Sequence, residues 1–348
     1  MHIETQIQDI PSERRGMADQ EILLSVQHLK KYFRTESSWF KQNEKFVHAV
    51  DDVSFEIRQG EVLGLVGESG CGKSTTGRLI LRLLSPTSGR VVFQGRDVFQ
   101  MDRHQLRVLR QKMQIIFQDP YASLNPRMTV GEILEEPFII HRQGQRTERQ
   151  QKVRQLLNKV GLSSDAFSRY PHEFSGGQRQ RIGVARAIAL NPQFIVADEP
   201  VSSLDVSIQA QIINLLEDLQ EEYRLSMLFI AHDLNIVRHI SDRVAVMYLG
   251  RIVEIADTEE LFNRPMHPYT EALLSAIPIP DPKTKRPKIL LEGDIPSPVD
   301  IPPYCRFYSR CPKRIPDCLK IDPPRYDVGQ GHQAACILVK QEEASTEK

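Results

Sequence analysis

Two kinds of apolar pattern alternate along most of the chain. Uninterrupted apolar runs occupy Val62–Val66, Phe194–Ala197 and Met227–Ala231, and such runs are typical of parallel strands that are buried on both faces. Between them, apolar residues recur at helical spacing in three sets: Leu79, Ile80, Leu83 and Leu84; Val153, Leu156, Leu157 and Val160; and Ile182, Ala185, Ile188 and Ala189. Strands that alternate with helices predict an α/β fold.

Other segments have the pattern of a different kind of sheet. The runs LLSV, AVDDVSFEI and RVVFQG lie between about Ile22 and Gly95 and predict short strands, with a turn at Ser85–Gly89. Further on, two apolar runs flank Leu249–Gly250, which predicts a hairpin. The segment from about Asp97 to Leu190 is mainly helical in pattern. No heptad-rich stretch is present in it, which argues against a long coiled coil.

A glycine-rich loop joins the first buried strand to the helix that follows. Residues Gly67–Thr75 read GESGCGKST, which fits G-x-x-x-x-G-K-[ST]. Glycines let the backbone wrap around phosphate, and the exposed amides and the positive end of the helix dipole attract the anion. Lys73 adds a positive charge, and Ser74 supplies a hydroxyl for Mg²⁺. A plain glycine-rich turn is the alternative for this match taken alone.

Two consecutive carboxylates follow the second buried run. Asp198 lies where a strand end can hold a magnesium ion, and Glu199 follows at once. Successive side chains of a strand point in different directions, so one carboxylate can serve the metal while the other orients or deprotonates water. An acidic pair is by itself weak, because solvated carboxylates are common. Its place after a buried strand and downstream of a phosphate loop predicts catalysis by Glu199.

A second helix start also presents free amides. Ser175, Gly176, Gly177 and Gln178 directly precede the apolar stripe that begins at Ile182, which predicts a second anion-binding helix N-terminus. One phosphate loop has no evident use for two such cradles on the same nucleotide. Two subunits that meet head to tail could each cover the phosphates held by the other.

Together these strings resemble the ATP-binding cassette of ABC transporters, with FSGGQ in place of the usual LSGGQ. The resemblance implies a P-loop NTPase fold with a mixed sheet core, an antiparallel β subdomain and a helical subdomain, and a sandwich dimer with two shared ATP sites. It also implies roles for Gln118 in the Q-loop, Asp205 in the D-loop and His232 as the switch histidine. Phe33 falls where the family stacks an aromatic ring on adenine, although Tyr32 is the alternative. The implied ATP and Mg²⁺ contacts are Phe33, Gly67, Ser69, Gly70, Gly72, Lys73, Ser74, Thr75, Gln118, Ser175, Gly176, Gly177, Gln178, Asp198 and Asp205.

The charge balance and the lack of long apolar runs indicate which partners the chain needs. Lysine plus arginine and aspartate plus glutamate are equal at 45 each, which gives no basic excess that suggests nucleic acid binding. The start resembles no signal peptide. No apolar run approaches the roughly 18 residues that cross a bilayer, so membrane transport needs partners. The resemblance implies two integral membrane permeases, an extracytoplasmic solute-binding protein and a second cassette, either a paralogue or a copy of this chain, at the cytoplasmic face of the membrane.

The C-terminal part narrows the resemblance. YASLNPRM, the segment that begins with His267-Pro-Tyr-Thr-Glu, and GDIPSPVDIPPYC are similar to the oligopeptide and dipeptide branch. This implies short peptides as the transported solute, and the alternatives are nickel, sugars or other small solutes. The alternative classes of protein are a soluble ABC ATPase and a non-hydrolysing ABC subunit. The expected divisions are a flexible leader over 1–20, a cassette over 21–262 with its helical subdomain at about 97–190, and an extension over 263–348.

The cysteines are clustered. Four of the five lie within the last 44 residues: Cys305, Cys311, Cys318 and Cys336. Disulfides are disfavoured in the cytosol, and the C-x5-C, C-x6-C and C-x17-C spacings depart from the short pairs of usual zinc sites. Four thiolates suit an iron-sulfur cluster. The resemblance implies a [4Fe-4S] cluster here, as in some members of the branch, with zinc or free thiols as alternatives.

Overall fold

The computed structural model describes residues 21–35, 45–277, 288–294, 296–299 and 301–339. The predicted leader over 1–20 lies outside the described residues. The strands are β1 Ile22–Arg34, β2 Phe46–Arg58, β3 Val62–Val66, β4 Ser88–Phe93, β5 Arg96–Asp97, β6 Met113–Ile116, β7 Phe194–Asp198, β8 Ser226–Ile230, β9 Arg243–Tyr248, β10 Arg251–Asp257, β11 Tyr326–Asp327 and β12 Gln333–Ala334. The α-helices are α1 Lys73–Ile80, α2 Arg103–Lys112, α3 Pro120–Ser123, α4 Val130–Ile140, α5 Arg146–Lys159, α6 Gly176–Ile188, α7 Val206–Tyr223, α8 Leu234–Ile240, α9 Thr258–Asn263 and α10 Pro268–Ser275.

The strands form two sheets. Four antiparallel strands take the order β2-β1-β4-β5, and eight strands take the order β11-β12-β10-β9-β3-β8-β7-β6. In the larger sheet β9, β3, β8, β7 and β6 pair in parallel, whereas β10, β11 and β12 pair antiparallel. The predicted hairpin around Leu249–Gly250 is confirmed, and both of its turn residues have positive φ, as a tight two-residue hairpin turn requires. The mixed sheet with an antiparallel β subdomain is confirmed as well.

The larger sheet carries a hydrophobic core on each face, which explains its continuous apolar strands. One face packs against the four-stranded sheet and α1 through residues such as Leu65, Leu79 and Val196. The other face packs against the helices through residues such as Val66 and Ala197. Every residue of β3, β7 and β8 is buried. Because β3, β7 and β8 run parallel, their carboxyl ends lie side by side along one edge of the sheet.

Two predicted helical stretches are shorter than the pattern suggested. The prediction that α1 continues through Leu83 and Leu84 is wrong, because Arg82 takes a left-handed φ of 50°. The amides of Arg82 and Leu83 then return to the carbonyls of Leu79 and Arg78, which is the Schellman arrangement that ends a helix. The mainly helical segment 97–190 is also interrupted, because Met113–Ile116 forms edge strand β6 beside β7. Four residues are too few for periodicity to separate a strand from a helix.

Most of the remaining segment is helical and is capped by its own sequence. Thr129 and Glu132 form a capping box at the start of α4, and Ser175 and Gln178 form another at the start of α6. Each box satisfies two backbone donors that the first turn leaves free. None of the helices formed by the described residues has both the length and the apolar character needed to span a bilayer.

The C-terminal extension shares the cassette's sheet and core. Strand β12 pairs with β10, and the amide of Ala335 donates to the carbonyl of Val253. Phe307 and Cys311 join the larger core. The expected boundary near residue 262 stays a prediction, but the described part of the extension is fixed to the cassette by strand pairing.

Candidate active site

The loop between β3 and α1 is packed too closely for side chains at two of its glycines. Gly67 has φ +151° and Gly72 has φ +111°, and a Cβ at either position would lie 2.1 Å from a backbone carbonyl oxygen, that of Met247 or of Ala49. Only glycine fits both the backbone conformation and the space. Lys73, which is 4% exposed, donates from Nζ to the carbonyl of Gly67 at 2.7 Å. The loop is therefore a closely wrapped cradle with one buried cation.

A hydroxyl and a carboxylate meet beside this cradle. Ser74, in the first turn of α1, donates from Oγ to Oδ1 of Asp198 at 2.7 Å. Burial at the end of β7 raises the pKa of Asp198, and the hydrogen bond from Ser74 opposes that shift. Hydroxyl and carboxylate oxygens are ligands that Mg²⁺ prefers. The other predicted cradle residues, Ser69, Gly70 and Thr75, lie in the same loop and first turn.

The predicted catalytic residues Gln118 and His232 both approach the carboxylate of Glu199. Gln118, which follows β6, donates from Nε2 to Oε2 of Glu199 at 2.8 Å. His232, which follows β8, places Nδ1 3.6 Å from the same oxygen. Glu199 itself has a φ of 46°, a conformation that a non-glycine residue adopts at some cost. Three strand ends thus converge on one carboxylate.

The second helix start lies among different elements. α6 packs against β6 and against helices α3, α4, α5 and α7, whereas α1 packs against β2, β7 and β8. Ser175 and Gln178 are exposed, and Gly177 lies so close to Ile208 of α7 that a Cβ would approach its side chain to 2.4 Å. Asp205, at the N-cap of α7, is exposed too. Ser175, Gln178 and Asp205 are therefore open to solvent.

Phe33 and Tyr32 have different environments. The hydroxyl of Tyr32 donates to Oδ1 of Asp51 at 2.5 Å, and its ring lies 4.1 Å from that of His48. Phe33 is 38% exposed, with Nζ of Lys31 5.0 Å from its ring centroid. Tyr32 is thus engaged by protein partners, which leaves Phe33 as the exposed ring.

The four clustered cysteines, Cys305, Cys311, Cys318 and Cys336, line one small cavity. Burial raises the pKa of Cys305 to about 12 and that of Cys311 to about 11, and the neighbouring thiols add to both shifts. In the part of the chain that the structure describes, no three His, Cys, Asp or Glu side chains are arranged to hold a metal ion. Cys71 is separate from this group and lies buried in the phosphate loop.

Sequence reasoning missed three residues that contact the cradle or its neighbours. Arg310 forms an ion pair with Glu68 of the phosphate loop, and Tyr269 accepts a hydrogen bond from the amide of Glu68. Arg78 reaches to 4.0 Å from Asp198. The one available signal was the carboxylate at Glu68, because an acidic side chain on an anion-binding loop calls for a neutralising partner.

Comparisons with known proteins agree with this geometry. Residues 50–202 match the model of the ABC transporter family, and residues 253–318 match that of the oligopeptide/dipeptide transporter C-terminal region. The oligopeptide transport ATP-binding protein AppF of Bacillus subtilis is 52% identical over 92% of this chain and 98% of its own length. A putative peptide import ATP-binding protein of Brucella ovis is 55% identical over 90% and 97%.

Solved structures give the same result for the cassette. A dimeric post-hydrolysis structure of the ATP-binding cassette MJ0796, bound to ADP and Pi, has a TM-score of 0.60 and 29% identity, and the match covers 68% of this chain and 98% of that one. CbiO1 of Clostridium perfringens, part of the ABC transporter complex cbiONQ, has a TM-score of 0.60 and 26% identity over 70% and 92%. The chain therefore belongs to the ABC transporter ATPases, within the group that carries the oligopeptide/dipeptide transporter C-terminal region.

Proposed function

We propose that this chain hydrolyses ATP as one of two cassettes of an importer for short peptides. The observation that carries the proposal is the convergence of Gln118 and His232 on Glu199 beside the Ser74–Asp198 pair. Phosphoryl transfer requires mainly positioning and charge neutralisation, and this edge of the sheet offers both.

Each residue then has a defined task. The loop amides and Lys73 hold the phosphates, since both present positive charge to an anion. Glu199 orients the attacking water or accepts its proton, with Gln118 fixing the carboxylate. Ser74, Gln118 and Asp198 are the residues that would hold Mg²⁺, which when bound neutralises charge on the phosphates. Phe33 offers its exposed ring to adenine.

The site is completed by another cassette. Ser175, Gln178 and Asp205 are exposed, and α6 packs against other elements than α1 does, so a partner can present the same helix start to the phosphates bound here. The relative MJ0796 was solved as a dimer with ADP and Pi. The partner is either a second copy or a paralogous ATPase, and its approach closes the site over the nucleotide.

The transported solute is assigned through the relatives. AppF is named for oligopeptide transport, and the matched C-terminal region is that of oligopeptide and dipeptide transporters. Two integral membrane permeases and an extracytoplasmic solute-binding protein complete the proposed importer. The chain then sits peripherally at the cytoplasmic face of the membrane, held there by the permeases.

A single substitution tests the catalytic assignment. Glu199→Gln keeps the shape of the side chain but removes the base, so it should retain ATP binding and lower turnover at least about 100-fold. Glu222→Gln, which changes an exposed acid paired with Lys159, should leave turnover unchanged. Near-normal ATPase activity of Glu199→Gln would show that another group is the base.

We further propose that the four clustered cysteines hold a [4Fe-4S] cluster. All four line one cavity, and thiolates are the usual cluster ligands. The C-x5-C, C-x6-C and C-x17-C spacings of these cysteines depart from the short pairs of usual zinc sites.

Iron and sulfide analysis after anaerobic purification tests this assignment. The expected result is a brown protein with iron and acid-labile sulfide in a ratio near one, both lost in Cys318→Ser. Stoichiometric zinc, or a colourless protein without metal, would refute the cluster.

A further inference from the structure

The phosphate loop carries a carboxylate that needs a counter-charge. Glu68 follows Gly67 directly, within the string of amides that forms the cradle. An unneutralised carboxylate there would repel a triphosphate through a partly desolvated region, where charges interact more strongly than in water. The sequence of the loop alone supplies one nearby cation, Lys73, whose Nζ is directed to the carbonyls of Gly67 and Glu68.

The counter-charge comes from the C-terminal extension. Arg310 donates from Nη1 and Nη2 to the two carboxylate oxygens of Glu68, at 2.7 Å and 2.9 Å. The Arg310 side chain is 8% exposed and that of Glu68 is 24% exposed. A bidentate guanidinium–carboxylate pair fixes orientation as well as charge. It therefore holds the Glu68 carboxylate in one place on the loop.

The same residue of the loop is held a second time by the extension. The hydroxyl of Tyr269, on α10, accepts the amide hydrogen of Glu68 at 2.9 Å. Tyr269 is fully buried, and its ring packs 4.8 Å from Tyr248 and 5.5 Å from Phe307. Because those rings fix Tyr269, the backbone and side chain of Glu68 are both tied to rigid neighbours.

We propose that Arg310 and Tyr269 are positioning residues for the phosphate loop, through which the C-terminal extension sets the affinity of the cassette for ATP. The inference rests on the proposed nucleotide site. Arg310 acts by neutralising Glu68 and Tyr269 by fixing its amide, so neither residue needs to contact the nucleotide. Arg310 directly precedes Cys311, which places this contact next to the cysteine cluster.

Charge neutralisation makes a specific prediction. Arg310→Ala leaves the Glu68 carboxylate on the loop without its partner. The resulting repulsion should weaken the binding of ATP more than the binding of ADP, because ATP carries more negative charge. We expect about a tenfold rise in the Kd for ATP and about a threefold rise for ADP, the range for loss of a charged hydrogen-bonded pair. The effect should shrink at about 0.5 M salt, where screening is strong.

The decisive variant is the double substitution Glu68→Gln/Arg310→Ala. It removes the unpaired charge that Arg310→Ala exposes, so affinity for ATP should return to within about threefold of wild type. A purely architectural role for Arg310 predicts no such rescue. The Kd values are measured with a fluorescent ATP analogue and ADP competition on the full chain carrying Glu199→Gln, so that hydrolysis does not interfere.

Two further variants complete the test. Lys320→Ala removes an exposed ion pair with Asp317 in the same extension and should leave both Kd values unchanged. Tyr269→Phe keeps the packed ring but removes the acceptor, and it should raise the Kd for ATP about threefold. If Arg310→Ala does not fold, this variant tests whether the extension positions the loop.

Wild-type ATP affinity in Arg310→Ala, or weak binding that the double substitution does not restore, would overturn the positioning role. If Arg310→Ala does not fold, wild-type ATP affinity in Tyr269→Phe would likewise overturn the positioning role. Absence of ATP binding by the parent Glu199→Gln chain would refute the nucleotide site itself.

Discussion

Arg306 links the extension to the cassette, and its removal has a calculable cost. Its side chain is 5% exposed, and it pairs with Asp51, which is 10% exposed. Arg306 also donates to the carbonyl of Leu249 at 2.7 Å and to Asp322 at 3.3 Å. Asp51 lies within β2 and accepts a hydrogen bond from Tyr32 of β1. One guanidinium thus joins the antiparallel subdomain, the β9–β10 hairpin and the extension.

The substitution Arg306→Met keeps much of the side-chain volume but removes the charge. Breaking a buried ion pair by removing one partner costs about 3–5 kcal/mol, because the remaining charge is left uncompensated. Asp51 keeps its hydrogen bond from Tyr32, so we expect the lower end, about 3 kcal/mol. At about 2–4 °C per kcal/mol for a domain of this size class, the melting midpoint should fall by about 6–12 °C.

The effect should depend on pH with a defined sign. Burial alone would raise the pKa of Asp51, but hydrogen bonds from Tyr32 and Arg306 and the charges of Arg306 and Arg251 lower it overall. A lowered folded-state pKa contributes stability that is present above the unfolded value of 3.8 and is lost as the pH falls through the folded value. Without Arg306, protonation of Asp51 relieves a buried charge, so the deficit of Arg306→Met should narrow as the pH falls from about 7 toward about 4.

Thermal and urea unfolding of wild type, Arg306→Met and Arg306→Met/Asp51→Asn provide the assay. The double variant has no unpaired charge and should recover at least about half of the loss. Arg314→Met, at an exposed arginine of the same extension, should change the midpoint by less than about 2 °C. A deficit under about 1 kcal/mol for Arg306→Met, or one that grows on acidification, would show that Arg306 does not compensate a buried charge on Asp51.

Two further substitutions test the cradle. Gly72→Ala should abolish nucleotide binding in an equilibrium binding assay, because its Cβ would lie 2.1 Å from the carbonyl oxygen of Ala49. Gly60→Ala is the control, because Gly60 also has a positive φ but a Cβ there would meet no atom within 4 Å. It should cost only about 1–2 kcal/mol of stability and keep nucleotide binding. Lys73→Ala should raise the Kd for ATP at least about tenfold while leaving the melting midpoint of the nucleotide-free chain within a few degrees, and unchanged affinity would contradict the role of Lys73.

The strands that carry the site were predictable because their sequence is dominated by burial on both faces. Phe194–Ala197 has no polar residue, and its place between β8 and β6 explains why. The phosphate loop was predictable for a similar reason, since Gly67 and Gly72 are required by close backbone contacts. Such local constraints leave a direct record in the sequence.

Other features depend on distant partners and leave a weaker record. β6 is a strand because β7 lies beside it, and nothing within Met113–Ile116 specifies that neighbour. The pairing of Glu68 with Arg310 joins positions 242 residues apart, so a single sequence cannot reveal it. The contacts of Tyr32 with Asp51 and His48 likewise join separate strands, so the different environments of Tyr32 and Phe33 leave no local signal.

If two cassettes jointly form each ATP site, the ATPase rate per protomer depends on the concentration of cassettes. The rate per protomer is measured over a dilution series, with a copy of the chain or its paralogous cassette as the partner, while sedimentation reports the mass of the species present. We predict that the rate per protomer rises with concentration, saturates as dimers form, and is lost when Ser175→Arg blocks the exposed helix start. Full turnover by a species that sedimentation shows to be a monomer would mean that one cassette forms a complete ATP site.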